Sequence, residues 1–251
     1  MKPKQPHTWS GPDAPAAKAA YVRSMFARIV PRYDLINRLM TMGLDRRWRR
    51  MTAELAAPRG ALALDLATGT GDLALELARR GSRLVVGADF CPDMLFAAVE
   101  KVRPAEAGAR IAFVAADAQR MPFADDTFDC LVNGFLLRNL SDLHGALREF
   151  HRLLKPGGRL VCLDLTHPPR ALRPLLWPWF RLAVPMLGGL LSGDFDAYTY
   201  LPDSLRTYPD AERLCAMLRA AGFAGATFRR VGLGAVAIHS AVKPQGRRQF
   251  N

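Results

Sequence analysis

ALALDLATGTGDLA, residues Ala61 to Ala74, is the stretch whose reading decides the fold. Ala61 to Leu66 is a short apolar run of the length of one buried strand. A loop of small residues, Ala67-Thr68-Gly69-Thr70-Gly71, follows it, and Asp72 opens an amphipathic helix carrying Leu73, Leu75 and Leu77. Strand, glycine turn and helix in that order let a ligand lie against bare backbone at the carboxyl edge of a parallel sheet. About 20 residues further on, a second apolar run from Arg83 to Ala88 ends in Asp89, where a carboxylate can accept from both hydroxyls of a ribose.

Two ligand readings fit this unit. A GxGxxG spacing favours a dinucleotide, but here it reads Gly69-Thr70-Gly71-Asp72-Leu73-Ala74, with Ala74 in place of the third glycine. The other reading is an S-adenosylmethionine loop, in which Asp65 ends the first strand and Gly69 and Gly71 admit the methionine portion.

Strand and helix signals continue to alternate downstream. A helix is expected from Pro92 to about Val102, and Ile111 to Ala115 reads as a strand ending at Asp117-Ala118. Phe128 to Asn133 is a further buried strand, closing on Gly134-Phe135-Leu136-Leu137-Arg138-Asn139. A helix from Asp142 to Leu154 stops at Lys155-Pro156-Gly157-Gly158, and Arg159 to Leu165 is the fifth strand. A helix from Pro209 to Ala221 precedes two runs, Ala224 to Arg230 and Gly234 to Lys243, that read as a hairpin. The expected fold class is therefore α/β: a doubly wound, mostly parallel seven-stranded sheet, Rossmann-like, with an antiparallel terminal hairpin.

The flanks differ in character. Residues 1–17, with Pro3, Pro6, Pro12 and Pro15, are expected to be a flexible arm, and 18–251 a single domain. Residues 18–57 form a helical cap that contains Tyr33 and the basic run Arg46-Arg47-Trp48-Arg49-Arg50. That run reads either as a solvated helix face with Trp48 turned inward or as a contact for phosphate or lipid headgroups. Residues 166–205 break the rhythm with Pro168, Pro169, Pro174, Pro178 and Pro185, aromatic residues, and arginines 170, 173 and 181. This is a proline-rich apolar lid, which either packs on the core or touches a membrane or a long apolar substrate.

Bulk composition narrows the partners. The 251 residues carry 35 basic and 23 acidic side chains, a formal charge of +12, which suits an anionic partner and says nothing about fold. The four cysteines (Cys91, Cys130, Cys162, Cys215) are dispersed, without CxxC pairs or clustered histidines, so reduced thiols in a cytoplasmic protein are expected and no metal site. No signal peptide and no transmembrane helix are expected. His239 reads as a satisfied core or edge histidine.

Taken together, the glycine loop after the first strand, acids after the second and third, KPGG before the fifth and the closing hairpin resemble class I methyltransferases. That resemblance favours S-adenosylmethionine over a dinucleotide. Along nearly its whole length the chain is similar to the ubiquinone/menaquinone-biosynthesis C-methyltransferase family. Tyr33 to Asn37 with Trp48 to Arg50 resembles that family's YDxxN…WRR cap motif, and Asp65 to Asp72 its DLAxGTGD loop. Asp89-Phe90 with Met94-Leu95, and Asp117-Ala118 with Met121-Pro122-Phe123, resemble the next two blocks. Phe135 to Asn139 resembles FGLRN, Arg152 to Leu160 RVLKPGGRL, and Ser192-Gly193-Asp194 with Tyr198 to Pro202 SGD…YxYLP. Leu136 departs from the glycine of FGLRN, Gly134 from a frequent serine, Thr41 from a serine in the cap motif, and Asp164 from a glutamate.

The resemblance implies methyl transfer from S-adenosylmethionine to a ring carbon of a reduced, prenylated quinol. By that implication Asp65, backbone from Ala67 to Gly71 and Thr70 hold the methionine part. Asp89 with Phe90 takes the ribose, Asp117 and Ala118 the adenine, and Gly134 borders the cofactor. Arg138 and Asn139 face the transferred methyl, and Tyr33 orients the ring. Arg138 alternatively serves as a structural ion-pair partner. Peripheral contact with an anionic membrane at the inner face of the cell membrane, and a homodimer, are left open. Other small apolar acceptors and a non-catalytic scaffold compete with this reading. An RNA methyltransferase is disfavoured because Asn133-Gly134-Phe135-Leu136 lacks the proline–aromatic pair that stacks a flipped base, so no specific nucleic-acid partner is expected.

Overall fold

β1 (Leu62–Leu66) is nearly all apolar, and its side chains are buried on both faces, as expected of a strand flanked by two parallel neighbours. A computed structural model describes residues 14–103, 110–192, 200 and 204–245. β2 (Leu84–Asp89), β3 (Ile111–Ala115), β4 (Phe128–Gly134), β5 (Leu154–Leu165), β6 (Ala224–Val231) and β7 (Val236–Val242) complete a seven-stranded sheet ordered β3-β2-β1-β4-β5-β7-β6. β7 pairs antiparallel with both β5 and β6, and every other pairing is parallel. The strand order reverses between β1 and β4, so the crevice for a ligand opens at their carboxyl ends.

Register brings the acidic strand ends together. Asp65 lies opposite Gly87 on β2, and Asp89 opposite Ala115 on β3. Gly87 is a packing requirement, because a Cβ there would stand 2.8 Å from the Phe113 ring and 3.0 Å from the Thr68 hydroxyl.

Helices α4 (Asp72–Arg79) and α5 (Pro92–Val102) follow β1 and β2, and α6 (Leu143–Leu153) precedes β5. Asp142 caps α6 by accepting from Gly145 N at 2.9 Å, which satisfies one of the free amides of the first turn. The fifth strand starts earlier than its sequence suggests. Leu154 already pairs with Phe128, and Lys155 to Gly158 form a bulge before Arg159 resumes the register opposite Cys130. α6 does end at Leu153, next to the expected stop, but the chain passes straight into the strand rather than through a loop.

Two cores back the sheet. One joins Phe128, Leu131, Leu147 and Phe150 with Leu214 and Leu218; the other joins Leu73, Leu77, Val85, Val132 and Ile238 with Trp48. All four cysteines are buried free thiols. His239 is buried with Nε2 3.0 Å from Ala211 O, in keeping with a core histidine, while its Nδ1 has no partner.

The cap comprises α1 (Ala14–Ile29), α2 (Tyr33–Met40) and α3 (Leu44–Ala56). Residues 1–13 of the expected arm lie outside the described residues, and α1 already begins at Ala14. Val22, Met25, Ile29 and Ile36 form a third small core with Tyr200. In the lid, α7 (Arg173–Pro178), a π-helical stretch over Trp179–Ala183 and α8 (Val184–Ser192) run on from one another, and α8 packs on α2. Of the SGD…YxYLP motif, residues 193–199 and 201–203 lie outside the described residues. The helix Ala211–Ala220, α9, is capped by Asp210, which accepts from Arg213 N. Among the described residues no helix is long and apolar enough to cross a membrane.

Candidate active site

Two non-glycine residues take left-handed backbone at the crevice: Ala67 (φ 52°), just after β1, and Phe135 (φ 61°), just after β4. Such conformations cost free energy and persist where surrounding structure holds them, often beside a ligand. Thr68 N donates to Ala88 O and Phe135 N to Leu163 O, which pins both turns to neighbouring strands. Gly69 (φ 56°) lies between them, bare toward Tyr33, whose Cε1 is 3.9 Å from where a Cβ would stand.

Two cavities meet over these turns. A narrow cleft of about 70 Å³ is lined by Ala67, Gly69, Asp89, Phe90, Asp117, Ala118 and Gly134. α1 roofs it with Ala19, Val22 and Phe26. Lys18 holds that helix down, its Nζ donating to Leu140 O at 2.7 Å, and burial lowers its pKa. A larger cavity of about 760 Å³, within the size range of small-molecule sites, lies under the cap and lid. Its walls are mostly apolar (Met25, Ile29, Met40, Trp48, Leu165, Leu176, Val236), with Asn37, Asp45, Asn139, Arg47, Arg49, Arg138, Arg229 and Arg230 among its polar points. Phe26, Tyr33, Phe135 and Asn139 line both cavities.

Most of the residues anticipated for the site converge here. Asp89 is nearly buried; its Oδ2 accepts from Gly69 N and its Oδ1 from Cys91 N, both at 2.9 Å. Burial raises its pKa, opposed by those amides. A carboxylate can accept more than two hydrogen bonds, and Asp89 lines the cleft. Asp117 Oδ1 accepts from Gln119 N, which fixes the turn that carries it to the cleft wall. Asn139 Nδ2 donates to Phe135 O, leaving Oδ1 buried without a partner. Tyr33 is held by Asn37, and burial raises its pKa despite the charges of Arg49 and Arg138.

Three anticipated residues stand behind the cleft rather than in its lining. Asp65 is wholly buried at the end of β1; its Oδ2 accepts from Thr68 Oγ at 2.7 Å, its Oδ1 is unpartnered, and burial pushes its pKa up to about 7. The Thr70 hydroxyl turns away and donates to Asp34 Oδ1 at 2.6 Å, while Lys101 Nζ bridges Asp34 and Asp72. Gly71 (φ 83°) packs on α5, a Cβ there meeting Val102 at 3.2 Å.

Arg138 lines the large cavity, and its Nη1 donates to Asp164 Oδ1 and to Phe135 O. It is an ion-pair partner and a cavity residue at once. The basic run of α3 is only partly a solvated face: Arg46, Arg47 and Arg50 are exposed, whereas Arg49 is buried beside Trp48. Sequence reading left Arg49 unassigned, although Asp45, Trp48, Arg49, Thr52, Ala53 and Ala56 recur at helical spacing on one buried face.

The residues present suit S-adenosylmethionine by donor and acceptor type. The ammonium, ribose hydroxyls and exocyclic amine of that molecule are donors. The cleft offers acceptors, namely the carboxylates of Asp89 and Asp117 and the unpartnered Asn139 Oδ1, with Asp65 behind the loop.

Comparison with known proteins agrees with this geometry. The sequence model described as the ubiE/COQ5 methyltransferase family matches residues 15–243. A demethylmenaquinone methyltransferase of Roseiflexus sp. is 45% identical over 91% of this chain and 96% of its own length. A ubiquinone/menaquinone biosynthesis C-methyltransferase of Desulfotalea psychrophila is 43% identical over 90% of this chain and 92% of its own length. Among solved structures, a SAM dependent methyltransferase from Aquifex aeolicus shares the fold, with TM-score 0.59 at 18% identity over 84% of this chain and 97% of that chain. The chain belongs to the ubiE/COQ5 methyltransferase family and is a methyltransferase dependent on S-adenosylmethionine.

Proposed function

We propose that the protein methylates a ring carbon of a reduced, prenylated quinol, with demethylmenaquinol the first candidate and the ubiquinone-pathway benzoquinol the second. The observation that carries this is the junction at Tyr33, Phe135 and Asn139, where a narrow cleft lined by acceptors opens on a large apolar cavity. The naphthoquinol takes precedence because the Roseiflexus relative, at 45% identity, bears the name demethylmenaquinone methyltransferase.

Bound S-adenosylmethionine would supply an electrophilic methyl group on a sulfonium, which needs little further activation. The chain's work is then proximity, exclusion of water and handling of a proton. Asp89 and Phe90 hold the ribose side, Asp117 and Ala118 the adenine edge, and Asn139 with Gly134 the border facing the acceptor. Asp65, the backbone from Ala67 to Gly71 and Thr70 shape the loop under the methionine part, Thr70 by tying it to α2. Arg138 stabilises the ionised acceptor hydroxyl through its charge. It stays protonated, so the ring proton leaves to water rather than to its guanidinium. Tyr33, packed over Gly69, orients the ring.

The cavity mouth supports a peripheral role at the cytoplasmic face of an anionic membrane. Leu35, Leu39, Met42, Leu44, Leu175, Leu182, Met186, Leu190 and Leu233 are exposed on the cap, the lid or the loop before β7, while Leu84, Phe96 and Val99 are exposed elsewhere, on β2 and α5. Met42, Leu44, Leu175 and Leu233 line the cavity itself, beside the exposed Arg46, Arg47 and Arg50 of α3. Apolar residues framed by arginines suit a bilayer that carries negative headgroups. Flotation with vesicles containing phosphatidylglycerol, lost in Met42→Glu/Leu233→Glu, is the expected result; equal flotation of both proteins removes this contact.

The reaction is tested by incubating the protein with chemically reduced demethylmenaquinone and isotope-labelled S-adenosylmethionine. A product one methyl group heavier, labelled at ring carbon, is expected. Failure to methylate any reduced prenylquinone while the donor still binds overturns the proposal.

A further inference from the structure

Buried arginines normally sit in the fork of a carboxylate, because an unpaired charge away from water is costly. Arg49 has two carboxylates beside it but only at long ion-pair distance. It is 8% exposed. Its Nε lies 3.7 Å from an Asp45 oxygen and 3.8 Å from an Asp72 oxygen, and has no hydrogen-bond partner. Its guanidinium carbon stands 5.8 Å from the centre of the Phe135 ring, and that of Arg138 stands 5.7 Å from the same ring. Both arginines line the large cavity. Arg49 Nη1 also comes within 3.6 Å of where a Cβ on Gly134 would be, which places it at the wall shared with the narrow cleft. Of the five arginines that line this mostly apolar cavity, these two meet one aromatic ring, whereas Arg47 and Arg229 are exposed and Arg230 pairs with Glu212.

A buried arginine that lines a ligand cavity and whose Nε has long ion pairs but no hydrogen bond calls for an explanation. We infer that Arg49 is a second acceptor-binding cation, which holds one oxygen of the ring substrate as its anion while Arg138 faces the other. This rests on the reading that the cavity takes a quinol, whose two ring oxygens match two guanidinium groups. The hydroxyl loses its proton to water, and the charge left on the ring is stabilised by both cations in a low-dielectric wall. The charge of Arg49 is already felt locally, since it opposes the rise in the pKa of Tyr33 and Asp65 and lowers that of Asp72. Facing it are Asp45 on its own helix, Asp72 on α4, Tyr33 on α2, Asp65 on β1 and Arg138 after β4. Lys101 and Arg38 act on it through Asp72.

The test compares wild type with Arg49→Met and Arg49→Lys by the pH dependence of kcat/KM for the reduced quinone. In Arg49→Met the alkaline-rising limb should move up by about one pH unit, an approximately tenfold loss at neutral pH. Arg49→Lys, which keeps the charge without the fork, should restore most of that limb. A merely structural arginine would lower the melting temperature and leave the limb where it is, and that outcome overturns the inference. If Arg49→Met does not fold, a limb in Arg49→Gln that coincides with wild type overturns it equally. Absence of quinol methylation by the wild-type protein would instead defeat the functional proposal, so the two failures are distinct.

Discussion

Arg138 Nη1 donates to Asp164 Oδ1 at 2.6 Å, with the two side chains only 9% and 2% exposed. Asp164 also accepts from Leu165 N at 2.8 Å, so the carboxylate is fixed to β5 and the guanidinium is aimed by it. Removing one member of such a pair leaves a buried charge uncompensated. Asp164→Ala should therefore destabilise the fold by about 3–5 kcal/mol in chemical denaturation. Arg138→Leu should lower turnover far more than donor affinity, and the reverse pattern would mean that Arg138 serves only the ion pair.

Asp89 ties Gly69 and Cys91 to the cleft through two backbone amides. Asp89→Ala removes a charged acceptor and strands both amides. Donor affinity should weaken by about 1–3 kcal/mol, roughly 5- to 150-fold, by isothermal calorimetry. Asp89→Asn, which keeps one acceptor oxygen, should lose less. An unchanged dissociation constant in Asp89→Ala would remove the ribose assignment.

Burial holds the Asp65 carboxyl protonated up to about pH 7, whereas its ordinary value is 3.8. Between those values the folded protein binds a proton that the unfolded chain has released, so stability falls as pH rises across the window and levels off above it. The raised pKa of Asp89 acts in the same direction. Asp65→Asn should flatten much of that slope and raise stability relative to wild type at pH values above the window. Urea titrations across the window measure it; an equally steep slope in Asp65→Asn would show that the carboxyl is already ionised in the fold.

The central unit was legible because its signals are local. An apolar run, two glycines and Asp72 leave few alternatives to strand, turn and helix, and Asp89 follows at the expected distance. Thr70 was not legible in that way: its hydroxyl is claimed by Asp34, thirty-six residues earlier in sequence, across a contact that only the folded cap creates. Lys155 to Gly158 carry every mark of a helix stop and α6 does end just before them, at Leu153; that they also open the fifth strand depends on the long-range pairing of Leu154 with Phe128. Arg49 was hidden by its neighbours, since a run of four arginines around Trp48 suggests solvent. The helical periodicity from Asp45 to Ala56 was the available clue.

α1 covers the donor cleft and is held at one end by Lys18, whose Nζ reaches Leu140 O at 2.7 Å and Arg138 O at 3.4 Å. These carbonyls end the short turn that carries Arg138 and Asn139, so one ammonium joins the roof to the reacting wall. Val22 and Phe26 add apolar contact to the roof, and the Cys91 thiol reaches Arg23 O at 3.9 Å. Lys18→Met keeps the aliphatic stem and removes the donors. Amide hydrogen exchange over residues 14–29 should then quicken about tenfold, the equivalent of roughly 1.4 kcal/mol, while exchange in β1 and β4 stays as in wild type. Exchange in α1 that does not change would show that its other contacts secure the roof without Lys18.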